Sequence, residues 1–177
     1  LQRNRAPVRE KAAELLAMVD TTIDSVRRIA AGMRPPVLDD LGLTAAIESL
    51  LQRFGGQTGL QVELDAGTGD VPIGARRGLY RIVQEALTNV ARHSGASHAG
   101  VVVERRDGHV TAVVEDDGRG FRMADVSAET LQHSGGLGLL GIRERAGLLG
   151  GTLDVESSLG GGTTLFVRIP LADDVGR

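Results

Sequence analysis

The sequence predicts an α/β fold: a two-layer sandwich of one mixed sheet and three helices, preceded by a single long helix. Three observations predict it. The periodic segments run helix, helix, strand, helix, strand, strand, helix, strand, strand, an order that stacks helices on neighbouring strands. Val110, Ala112 and Val114 take alternate positions toward Asp116, the mark of a strand with one buried face. Glycine is abundant, at 25 of 177 residues, and it clusters at 118–120, 135–141, 150–151 and 160–162, where it punctuates loops.

The first element spans 8–33. Val8, Ala12, Leu15, Val19, Thr22, Val26, Ile29 and Met33 recur in steps of four and three, and Leu16, Ile23 and Ala30 widen the stripe. That width suits a helix in a multi-helix bundle more than a two-stranded seam. Such a helix is about 39 Å long, more than a small domain covers. Arg34-Pro35-Pro36 ends it, since proline lacks a backbone donor and disfavours helix at the residue before it. Asp39 or Asp40 caps a second helix with Leu43, Ala46, Ile47, Leu50, Leu51 and Phe54 on one face, and Gly55-Gly56 is its expected stop. Val62 and Leu64 mark a short strand. The third helix, 75–93, buries Leu79, Ile82, Val83, Ala86, Leu87 and Val90.

Strands follow at 99–105 and 109–116, and Asp107-Gly108 between them signals a two-residue hairpin. Residues 121–135 are polar and aperiodic, as in a surface loop. A helix at 139–149 stops at Gly150-Gly151. Strands 152–156 and 163–169 complete the sheet around the turn 157–162.

Composition excludes several classes. A net charge of −3 does not suit a general nucleic-acid binder. With no cysteine there are no disulfides or thiolate metal sites. No apolar run approaches the roughly 18 residues of a membrane span, and no signal peptide is evident. The chain begins with Leu, from which a fragment is expected, and whether membrane segments lie upstream is left open by the sequence.

Three segments carry chemistry. On the third helix Glu85, Asn89, Arg92 and His93 fall on one face at 100° per residue. A carboxylate, an amide oxygen and a cation suit a Mg²⁺–triphosphate complex, because magnesium takes few hard oxygen ligands and keeps waters. By itself this pattern is more often that of an amphipathic helix with a solvated polar side. The 109–116 strand drives Asp116 to the sheet end, where a buried carboxylate can accept from an exocyclic amine such as adenine's. Gly118 and Gly120 let backbone approach a flat ring. Asp117 and Arg119 are expected to face solvent.

Gly136-Leu137-Gly138-Leu139-Leu140-Gly141 matches G-x-G-x-x-G, but a dinucleotide site requires a strand before the first glycine, and 127–135 is not one. A glycine loop opening onto a helix still offers N–H donors to phosphate. The P-loop pattern is absent.

Taken together, these motifs resemble the catalytic ATP-binding domain of two-component sensor histidine kinases, of the subclass that contains the nitrate/nitrite sensors and the membrane-fluidity thermosensor. Gln84 to His93 resembles the family's N box, Asp116 to Gly120 its G1 box and Gly136 to Gly141 its G2 box. Gly162-Thr163 is similar to its closing Gly-Thr, and Met33 to Leu43 to the subclass link between bundle and catalytic domain. The resemblance implies a GHKL (Bergerat) sandwich with ATP and Mg²⁺ as cofactors. It implies Asn89 as metal ligand, Glu85 as catalytic partner holding a metal-bound water, and Arg92 and His93 facing phosphates. Asp116 would accept from adenine with support from Thr163. Gly118, Gly120, Gly136, Leu137, Gly138, Leu139 and Gly141 would shape the pocket, and 121–135 would be the ATP lid.

It further implies residues 1–34 as the second helix of a dimerisation and phosphotransfer bundle, 35–42 as linker, 43–172 as catalytic domain and 173–177 as tail. The partners implied are a second subunit and a response-regulator receiver domain, with no nucleic acid. The location implied is the cytoplasmic part of a membrane-attached bacterial sensor. One departure stands out. The subclass acceptor is a histidine followed by an acidic residue, whereas His93, His98, His109 and His133 precede Ser94, Ala99, Val110 and Ser134. The first bundle helix, with its acceptor, is therefore expected to be missing, and the chain should not phosphorylate itself. Two other readings remain at this stage: a GHKL serine kinase, and a non-catalytic ATP-gated interaction module.

Overall fold

The computed structural model describes residues 36–67, 71–122 and 137–171. The chain divides into two compact units, Leu1–Pro36 and Val37–Arg177, and the second carries the whole sheet. The long helix expected at 8–33 lies outside the described residues, as does the expected lid beyond Arg122.

Among the described residues the order is α1 (Pro36–Asp40), α2 (Gly42–Thr58), β1 (Gln61–Ala66), α3 (Ile73–Asn89), a π-helical turn (Val90–Ser94), β2 (His98–Arg106), β3 (His109–Asp116), α4 (Leu137–Leu148), β4 (Thr152–Ser157) and β5 (Thr163–Pro170). The sheet runs β1-β2-β3-β5-β4. β1 and β2 are parallel, joined through α3 as a parallel pair requires, and every other pairing is antiparallel. This is the mixed-sheet sandwich the sequence predicts.

Residue alternation sets which face is buried. Val101, Val114 and Leu165 form one cross-strand row, and Val103, Ala112, Val167 and Leu153 the next. All are buried, in one cluster with Leu43, Ile47 and Leu50 of α2, Leu79, Val83 and Leu87 of α3, and Ile142 and Ala146 of α4. Burying each of the Val, Leu and Ile side chains among them contributes about 1.5–3 kcal/mol. The β2–β3 hairpin turns through Asp107 (φ 51) and Gly108 (φ 72), the paired positive angles that an Asp-Gly turn supplies. α3 and α4 run antiparallel, with Gly78 against Leu149 at one end and Asn89 against Gly138 at the other.

Three local expectations are corrected. The second helix does not stop at Gly55-Gly56 but continues to Thr58. Gly59 (φ 73) takes the left-handed C-terminal position and donates its N–H to the Gly55 carbonyl at 3.0 Å. Neither Asp39 nor Asp40 caps that helix; both lie in the one-turn helix α1, inside the segment expected to be linker, and Leu41 precedes α2 without a side-chain cap. The third helix is α-helical only to Asn89, and Val90–Ser94 is a π-helical turn. Ser94 is the cause we identify: its buried hydroxyl donates to the Val90 carbonyl (2.8 Å) and accepts from Ala96 N–H (2.9 Å), and Gly95 (φ 66) then ends the element.

Candidate functional site

The two apolar rows of the sheet lead to a third at the end of the same face: Ala99, Asp116, Thr163 and Ser157, each opposite the next. Ala99 is buried, and the row then turns polar. This register explains why Asp116 is half-buried: it continues the core side of β3 one step beyond Val114. Its Oδ1 accepts from Gly118 N–H at 2.9 Å. Burial pushes the Asp116 carboxyl above its ordinary value, the Gly118 N–H partly offsets this, and the charge of Asp117 adds to it. A partly desolvated carboxylate of this kind gains most from a ligand that brings a donor.

Glycines let the loops around this row interlock. A Cβ on Gly118 would stand 2.5 Å from the Ser94 Cβ and 2.7 Å from Asp116 Oδ1. One on Gly162 (φ 72) would stand 1.9 Å from the Asp116 carbonyl oxygen. Gly120 is packed equally closely, against the Ser158 and Gly162 carbonyls. Arg119 N–H donates to the Ser94 carbonyl at 2.9 Å, so the loop after β3 is tied to the turn after α3. Ser157 Oγ accepts from Phe121 N–H (2.9 Å), donates to the Gly162 carbonyl (2.9 Å) and lies 3.1 Å from Thr163 Oγ1.

Asp117 faces solvent, as expected, yet it is not idle. Its Oδ1 accepts the N–H groups of Ser97 (2.8 Å) and His98 (2.9 Å), and its Oδ2 accepts from Ser97 Oγ (2.9 Å) and lies 3.1 Å from His98 Nδ1. These partners, the His98 N–H foremost and then the Ser97 hydroxyl, hold its carboxyl well below the usual carboxylate range. It therefore fastens the start of β2 to the loop that carries Gly118 and Gly120.

The polar face of α3 ends at the same end of the domain. Asn89 packs on Gly138 in the first turn of α4, where a Cβ would lie 2.4 Å from Asn89 Oδ1. Asn89 Nδ2 is buried with no hydrogen-bond partner among the described residues. Glu85, one turn earlier, is half-buried. Arg92 and His93 are exposed on the π-helical turn that follows, where the α-helical spacing of 100° per residue no longer applies. Leu139 packs on the core. Gly141 leaves room for Arg145: a Cβ there would lie 3.1 Å from its Nη1. Gly136 lies outside the described residues. Among the described residues no group of three His, Cys, Asp or Glu could hold a metal.

Sequence reasoning missed Ser94, Ser157 and the fastening role of Asp117. Ser94 directly follows the Gln84–His93 motif and Ser157 opens the turn that leads to Gly162-Thr163, and these positions were the only signal.

A half-buried sheet-end carboxylate, glycine-locked loops and an amide-bearing helix end thus lie at one end of a mixed-sheet sandwich. The chain belongs to the family of "Histidine kinase-, DNA gyrase B-, and HSP90-like ATPase", whose model matches residues 74–173. It is 40% identical over 150 residues to the sensor histidine kinase MctS of Rhizobium johnstonii, covering 84% of this chain and 32% of that protein. It is 31% identical over 176 residues to the oxygen sensor histidine kinase NreB of Staphylococcus carnosus, covering 97% of this chain and 49% of that one. It thus spans about a third to a half of the length of these curated relatives. Among solved structures it resembles a blue-light activated histidine kinase from Erythrobacter litoralis (TM-score 0.62, 25% identity, 75% of this chain and 42% of that one). It also resembles the ATP-binding domain of PrrB from Mycobacterium tuberculosis (TM-score 0.56, 26% identity, 72% of this chain and 95% of that one). The chain is thereby a histidine-kinase-type ATPase domain, and its family implies ATP binding. Among the described residues no helix is long and apolar enough to cross a membrane.

Proposed function

We propose that this domain binds Mg²⁺–ATP and donates the γ-phosphate to a histidine outside these 177 residues, for relay to an aspartate of a response regulator. The observation that carries the reading is the row Ala99–Asp116–Thr163–Ser157, which ends the core face in a desolvated acceptor. The residues fit the nucleotide. Asp116 accepts from the adenine amine, Thr163 and Ser157 hold that end of the sheet, and Gly118 and Gly120 keep backbone close to the ring.

The residues fit the metal as well. Magnesium bound to a nucleotide needs one or two protein oxygens, and Asn89 supplies one beside an amide nitrogen that lacks a partner among the described residues. When bound, the ion neutralises phosphate charge. Glu85 orients a water or accepts a proton at its carboxylate, and Arg92 and His93 face the phosphates. Gly136, Leu137, Gly138, Leu139 and Gly141 shape the turn beneath them, with 121–135 as lid.

None of the four histidines precedes an acidic residue, so the acceptor belongs to another segment. We assign residues 1–34 to a bundle helix through which two subunits pair, 35–42 to a linker and 43–172 to the catalytic domain, on the cytoplasmic face of a sensor. Titration calorimetry tests the site: Mg²⁺–ATP binds and GTP binds at least about tenfold more weakly, because a carbonyl replaces the amine opposite Asp116. Equal affinities would refute the adenine assignment.

A further inference from the structure

We propose that Arg145 is a further nucleotide contact, its guanidinium reaching a phosphate oxygen of the bound triphosphate. This rests on the nucleotide reading above and adds a residue that none of the three motifs contains.

Arg145 stands in the last turn of α4. Its side chain runs back toward the helix N-terminus, as long helical side chains do, and Nη1 comes to rest over Gly141, 3.1 Å from the position a Cβ would take. Nη1 is buried and has no hydrogen-bond partner among the described residues. Asn89 Nδ2 is the other such side-chain atom among the described residues, and it lies over Gly138. Positions 138 and 141 are three apart, so the two unmatched donors share one helix face within about 4.5 Å of rise.

Native structures satisfy buried donors, and an exception calls for an explanation. A single ligand with several acceptor oxygens answers both exceptions at once. Glu85 is the one carboxylate on α3, one turn before Asn89, and no ion pair joins it to Arg145. A polyphosphate near Glu85 would meet like charge, and Arg145 supplies the compensating cation. Glycine at 141 leaves the guanidinium its present place, and a Cβ there would crowd Nη1 at 3.1 Å.

The test compares ATP with adenosine, in calorimetry on the wild-type chain and on Arg145→Gln and Arg145→Lys, with circular dichroism to verify the fold. We expect Arg145→Gln to weaken ATP binding about tenfold, to leave adenosine binding unchanged, and to be partly rescued by lysine. Equal losses for ATP and adenosine would make Arg145 structural and overturn the proposal. Unchanged ATP affinity with slower phosphate transfer would make it a positioning residue for Glu85 and overturn it too. If the wild-type chain bound neither ligand, the nucleotide reading itself would fail, an outcome distinct from both.

Discussion

Asp116, the last residue of β3, stands directly opposite Thr163, the first residue of β5. The carboxylate therefore lies at the end of the core face, desolvated by the rows beneath it, with a Thr hydroxyl across the strand pair that Ser157 holds at 3.1 Å. Sheet register brings the two residues opposite each other, and the loop glycines Gly118 and Gly162 then close on the Asp116 side chain and carbonyl.

From that pairing we predict that Asp116→Asn weakens ATP binding by about 1–3 kcal/mol, the range for a buried polar group left mismatched. The variant presents an amide to the adenine amine, and its preference for ATP over GTP should shrink. Calorimetry with both nucleotides measures the change; an undiminished preference would remove Asp116 from the base contact.

Asn89 provides a second prediction. Asn89→Ala should lower ATP affinity strongly with Mg²⁺ present and only weakly with EDTA. Gly138→Ala should act in the same direction, because its methyl would occupy the place of the Asn89 amide. Losses of equal size with and without chelator would make Asn89 a packing residue.

Much of this architecture is legible in the sequence, and what is not has physical reasons. The strands follow from alternation and from Asp107-Gly108, so Asp116 could be placed at a sheet end before any coordinates. The π-helical turn was not legible, because it depends on one hydroxyl, that of Ser94, competing for backbone groups on both sides. The run of α2 through Gly55-Gly56 depends on which of several glycines takes the left-handed position, and Gly59 does. The partners of Asp117 lie 19 and 20 residues away and those of Ser157 reach 36 residues away, distances at which short-range pattern is silent.

Opposed pH dependences follow from the two adjacent acids. The carboxyl of Asp117 titrates below its ordinary 3.8, so its contribution to stability is complete above that value and is lost as pH falls toward the folded pKa. Asp116 titrates above 3.8, so its ionisation opposes folding, and the stability it allows when protonated is lost as pH rises through its folded pKa. Thermal melts should show Asp117→Asn less stable than wild type at neutral pH, with a flatter acid limb. Asp116→Asn should be no less stable there. ATP affinity of the wild type should fall as Asp116 protonates. An acid limb unchanged by Asp117→Asn would contradict the fastening role.

Phosphate transfer bears most directly on the central claim. This chain should be incubated with Mg²⁺ and ATP labelled at the γ-phosphate, alone and with a bundle fragment from a relative that carries its acceptor histidine before an acidic residue. The account predicts acid-labile phosphate on the added fragment and none on this chain. Acid-labile phosphate on His93, His98, His109 or His133 of this chain alone, acid-stable phosphate on a serine, or ATP binding without any transfer would contradict it.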